Sequence, residues 1–148
     1  MSEKHKHHWE GETPDPDKYF GFIYEIVCTT EDIRYIGRKT YWKLRPPKVR
    51  SLKNPVKDKG SEKWREDCWK ESDWKTYTGS SDSFNKKIKE IGTECFKFTI
   101  LEQYLSSASI HYAETRKLMQ TRALEKENYF NSSAQAIKFK PPKEVCNY

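Results

Sequence analysis

Nowhere does the 148-residue sequence run through the ~18 consecutive apolar side chains that a membrane span needs, and no apolar stretch follows a basic N-terminus as in a secretory signal. A soluble, cytoplasmic protein is therefore expected. The four cysteines, Cys28, Cys68, Cys95 and Cys146, stand singly without a CxxC pair. The closely spaced thiolates of a structural zinc site are thus lacking, and reduced, mostly structural thiols are expected. Apolar residues are scarce, at 34%. Aromatic residues, at 14%, compensate. Each buried ring removes roughly 150–250 Å² from water, so a core can still close. The length suits one domain with tails, and no internal repeat is present.

Acid is missing from one stretch in particular. The net charge of +6 divides into −4 over residues 1–37, +8 over residues 38–57 and +2 over residues 58–148. Arg38, Lys39, Lys43, Arg45, Lys48, Arg50, Lys53 and Lys57 follow one another with no carboxylate between them. Such a run suits a polyanion, because every phosphate neutralised releases a counterion. Tyr41 and Trp42 lie within it, and Trp64, Trp69, Trp74 and Tyr77 follow. Rings among cations can stack on bases, and they can equally well be core residues.

The elements follow from local patterning. Residues 1–19 are polar, His-bearing and end near Pro14 and Pro16, which reads as a flexible arm. Gly21–Val27 and Ile33–Gly37 are β-branched and aromatic, and their short link implies an antiparallel hairpin. A short helix is expected within residues 58–75. Phe84, Ile88 and Ile91 repeat at helical spacing between a capping Ser81 or Asp82 and Gly92. Phe96–Leu101 alternates as a half-buried strand, and a second helix is expected from about Ser109 to about Lys126. Pro141 and Pro142 mark residues 136–148 as an extended tail. The predicted fold is α/β (α+β), a small antiparallel sheet of three strands flanked by helices.

Two features resist a purely structural reading. Tyr24 and Tyr35 lie on the paired strands and share a face if the turn holds an even number of residues. Two converging phenols can orient a water, since Tyr both donates and accepts. Glu114 falls between Ile110 and Leu118 on the side of the second helix expected to face inward. A carboxylate there needs a partner, either an arginine or a hard cation such as Mg²⁺. His111, one turn earlier, offers a weaker transition-metal alternative.

Taken together, these residues resemble the GIY-YIG nuclease superfamily. Gly21-Phe22-Ile23-Tyr24 stands where the family has Gly-Ile-Tyr, and Tyr35-Ile36-Gly37 is intact. The following helix, strand and Glu114 helix keep the family's order, and Tyr129-Phe130-Asn131 is similar to its closing element. The resemblance covers residues 20–135, with a basic, Trp-rich insert at 38–80. YIGRK combined with Trp74-Lys75-x-Tyr77-x-Gly79-Ser80-Ser81 resembles small stand-alone members, often phage-encoded; a phage origin would place the protein in the host cytoplasm. What the resemblance implies is a DNA endonuclease using one Mg²⁺ (or Mn²⁺) held by Glu114, with Tyr24 and Tyr35 deprotonating or positioning the nucleophile and Asn131 completing the site. The phosphate-neutralising arginine is Arg45 by separation or Arg38 by adjacency to Gly37; Pro46 disfavours helix at Arg45. Expected DNA contacts are Lys39, Lys43, Lys48, Arg50, Lys53, Trp74 and Lys75. A non-catalytic nucleic-acid-binding module of the same fold is the alternative, and a homodimer is one source from which sequence preference could come.

Overall fold

In the order of the chain, the computed structural model describes residues 6–44, 69–134 and 136–146. Period-2 alternation in β2 (Gly21–Cys28) sends Phe22, Tyr24 and Ile26 to one face of a sheet and Ile23 to the other. Both sets are buried, so this strand is central. On one side β2 pairs antiparallel with β3 (Arg34–Thr40), the register running from Gly21 opposite Thr40 to Val27 opposite Arg34. On the other it pairs antiparallel with β6 (Phe96–Tyr104), with a bulge in β6 beside Ile23 and Tyr24. Residues 28–33 form the hairpin link, an even count, and the two tyrosines do share a face.

The sheet has four strands, not three: its order is β1-β6-β2-β3. Strand β1 (Trp9–Gly11) pairs parallel with β6, Trp9 opposite Phe98. The expectation of a flexible arm is thus corrected for residues 9–11. Trp9 is 5% exposed and lies edge-on to Phe22 and Phe98, so burial of one large ring holds an otherwise polar segment. His8 stacks on Phe98 at 3.9 Å and donates from Nε2 to the Tyr77 carbonyl oxygen at 3.0 Å. Burial pushes its pKa down to about 4 from 6.5, so the unfolded chain takes up this proton first. The stability contributed by neutral His8 is full above about pH 6.5 and is lost as the pH falls towards 4. Urea unfolding of wild type and His8→Phe should therefore diverge: between neutral pH and about pH 4.5 the variant should lose less stability.

Helices cover both faces. α1 (Asp82–Ile91) is capped by Ser81, whose Oγ accepts from Phe84 N at 3.3 Å, and is closed by Gly92 with φ 110°. It lays Phe84 and Ile88 on the face bearing Phe22, Tyr24 and Ile26. α2 (Ser107–Thr121) is capped by Ser106 and lays Ile110, Ala113 and Leu118 against Ile23 and Ile36 on the opposite face. The tail also differs from the extended segment expected. α3 (Lys143–Cys146) buries Val145 completely, and Glu144 accepts from Leu105 N and from the Ser109 hydroxyl near the start of α2.

The insert leaves the sheet as β4 (Trp42–Leu44) and returns as β5 (Trp69–Glu71), which pair antiparallel with each other. A 3₁₀ turn at Trp74–Thr76 follows. No α-helix occurs within residues 69–75; the rest of the expected helical stretch lies outside the described residues.

Candidate active site

The absence of a side chain organises the site. Gly37 sits directly opposite Tyr24, and a Cβ added there would overlap the Tyr24 hydroxyl and fall 2.5 Å from Cζ. Glycine therefore lets the Tyr24 phenol lie across β3. Gly79, with φ 95°, plays the same part for Tyr35: a Cβ there would fall 2.9 Å from Tyr35 Cε1. Groups from the two faces of the sheet thus meet in a cavity of about 350 Å³. Tyr24, Tyr35, Tyr77 and Ser80 come from one face. Arg38 and Glu114 come from the other, and Asn131 comes from the segment that runs beside β3.

The phenols form a connected set. The rings of Tyr24 and Tyr35 lie 6.2 Å apart, Tyr24 and Tyr77 6.1 Å. Ser80 Oγ is 3.1 Å from the Tyr35 hydroxyl, and both line the cavity with Tyr77. Burial pushes the Tyr24 pKa well above its ordinary value, with Tyr35 adding to the rise and Arg38 opposing it weakly. Tyr24 therefore keeps its proton at neutral pH, the state in which a phenol donates a hydrogen bond.

Facing them, Arg38 Nη1 donates to Glu114 Oε1 at 3.2 Å. Glu114 is the single carboxylate among the described cavity-lining residues. Burial raises its pKa, and Arg38 opposes that rise. Arginine is thus a partner of this carboxylate, and of the two arginine candidates Arg38 lines the cavity, while Arg45 lies outside the described residues. His111 packs its ring 5.8 Å from Phe139 and is not among the cavity-lining residues. Among the described residues no group of three or more His, Cys, Asp or Glu could hold a metal ion, so any metal here would rest on Glu114 and water.

Other expected site residues have different tasks. Asn131 accepts from Ile36 N at 3.0 Å and donates from Nδ2 to Ile36 O at 2.6 Å. Its amide thereby clamps the edge of β3 at Ile36, next to Gly37 and Arg38, and the residue also lines the cavity. Trp74 is 3% exposed, edge-on to Tyr41 at 5.0 Å, and is a core residue, not a DNA contact. Lys39 is not an outward cation either: its ammonium lies 2.6 Å from Asp73 and 3.8 Å above the Tyr77 ring. Lys75 lies 3.6 Å from Glu71. Lys43 is half-buried on β4. Lys48, Arg50 and Lys53 lie outside the described residues. Tyr77, Ser80 and Ser133 are polar lining residues absent from the sequence-based assignment, and the first two carried a signal. Their signal was the Tyr77-x-Gly79-Ser80 spelling, in which the glycine allows close approach.

Residues 4–134 match a family model described as "Putative endonuclease segE, GIY-YIG domain". The match takes in β1, the cavity-lining strands and Glu114, and stops after Asn131. No curated protein and no solved structure matches the chain.

Proposed function

Because the chain belongs to the GIY-YIG nuclease family, we propose that it is a divalent-metal-dependent endonuclease that hydrolyses DNA phosphodiester bonds in the cavity between Tyr24 and Glu114. The observation that carries this reading is the convergence of phenols, one guanidinium and one carboxylate on a single cavity at Gly37. Hydrolysis needs an oriented water, charge neutralisation on the phosphate and stabilisation of the departing oxygen. Phosphate neutralisation falls to Arg38, whose planar guanidinium suits two nonbridging oxygens at once. Water orientation falls to Tyr24 and Tyr35.

The donor set fits a hard divalent ion. Glu114 is a largely buried carboxylate whose charged form is disfavoured by desolvation and offset by one cation, so a second cation is welcome there. The cavity leaves room for the several waters that Mg²⁺ keeps. When bound, Mg²⁺ or Mn²⁺ would supply charge stabilisation at the phosphate and at the leaving oxygen. Glu114 would be its protein ligand. The basic residues 43–57 would hold neighbouring phosphates, with binding that weakens steeply as salt rises.

Cleavage should be abolished by EDTA and restored by excess Mg²⁺. Tyr24→Phe should slow it by about 10-fold or more while leaving the shape of the pH–rate profile unchanged, since a phenol that stays protonated contributes no limb. A limb that disappears in Tyr24→Phe would return Tyr24 to the role of base. The Arg38–Glu114 contact supports a second reading, a DNA-binding module in which arginine replaces the metal. That reading predicts salt-sensitive binding and no cleavage with any divalent ion.

A further inference from the structure

Behind the cavity stands a group of three side chains that the reading above does not use. Lys39 Nζ lies 3.8 Å from the centroid of the Tyr77 ring, and Asp73 Oδ1 lies 2.6 Å from the same ammonium. Lys39 is therefore committed to a ring and a carboxylate and is only 16% exposed. A lysine meant to grip DNA would gain nothing from this arrangement. A lysine meant to hold a phenol in place would, because a cation over an aromatic face is attracted by the ring's quadrupole. Tyr77 lines the cavity together with Tyr24, Tyr35, Ser80, Arg38 and Glu114.

We propose that Tyr77 is a further substrate-contacting residue of this cavity, donating its O–H to a nonbridging oxygen of the phosphate being cleaved, and that Lys39, fixed by Asp73, is its positioning residue. The inference rests on the cavity being a DNA-cleavage site. Its support is geometric: the phenol opens on the same cavity as the guanidinium of Arg38, from the opposite face of the sheet. A phosphate held by Arg38 would then meet a donor on each side. Burial keeps the proton on Tyr77, as a donor requires.

The test is single-turnover cleavage of a short duplex by the full chain in Mg²⁺, with either a normal phosphate or each phosphorothioate diastereomer at the cleaved bond. Tyr77→Phe keeps the ring and its contact with Lys39, so the fold should be unaffected, as thermal melting will show. It should slow cleavage of the normal duplex by roughly 10-fold, the cost of one hydrogen bond made to a developing charge. With one diastereomer that loss should shrink to about 2-fold or less, because sulfur is a weak acceptor. Lys39→Met should also slow the wild type, yet slow Tyr77→Phe no further, a non-additivity that a lysine acting only on stability would not produce. Wild-type cleavage matched by Tyr77→Phe on all three duplexes would overturn the role of Tyr77 alone. Equal losses on normal and sulfur-substituted phosphates would do the same. A wild type that binds the duplex and never cuts it would overturn the cleavage reading and this inference together.

Discussion

A Glu114→Ala chain is expected to cut DNA at least ~10³-fold more slowly than the wild type, the scale of losing a principal electrostatic contact to the transition state, while binding DNA at least as tightly. Both parts follow from the same geometry. Removing the single described carboxylate of the cavity removes the only described protein oxygen there that carries a full negative charge for a divalent ion. It also removes the carboxylate, now 3.2 Å from the Arg38 guanidinium, that would compete with phosphate for it. The fold should survive, because the Arg38 side chain is 33% exposed and a partly exposed ion pair contributes only about 0–1 kcal/mol. Single-turnover cleavage in Mg²⁺ and fluorescence anisotropy in EDTA would measure the two effects separately. Undiminished cleavage would remove Glu114 from the site.

Trp74→Ala should destabilise the protein by about 3–5 kcal/mol, the usual cost of truncating a buried aromatic to alanine. The indole lies edge-on to Tyr41 at 5.0 Å and to Phe22 at 6.5 Å, and its Nε1 donates to Glu71 Oε1 at 2.9 Å. Its backbone carbonyl oxygen accepts from Trp9 Nε1, so the residue also ties β1 to the insert. Chemical denaturation monitored by circular dichroism would give the loss directly. A Trp that stacked on bases would behave in the opposite way, costing DNA affinity with little change in stability.

These two residues mark how far the sequence could be read. Glu114 was legible because helical spacing placed it between Ile110 and Leu118, and a carboxylate on an inward face demands a partner. The tyrosine pair was legible because parity along two short strands decides the face, whatever the details of the turn. The caps at Ser81 and Gly92 were legible because they depend on neighbouring residues alone. Trp74 was not, since a ring among cations reads the same whether it stacks on a base or fills a core. Nor was β1: a single Trp9 in a polar segment gives no periodicity, and its partner Phe98 is distant in sequence. Asn131 was found through its aromatic-Asn spelling, yet its task, clamping the backbone of Ile36, depends on a long-range approach that no local pattern encodes. Lys39 shows the same limit from the other side. In the sequence it belongs to a run of eight cations, and only the fold reveals that it sits over Tyr77.

The central claim is that the cavity at Gly37 hydrolyses DNA, and the most direct test is the conversion of supercoiled plasmid by the purified full chain. With Mg²⁺ present, the account predicts open-circular or linear product, accumulating with time and absent in Glu114→Ala. Tight, salt-sensitive binding in which the plasmid stays fully supercoiled with both Mg²⁺ and Mn²⁺ would contradict it.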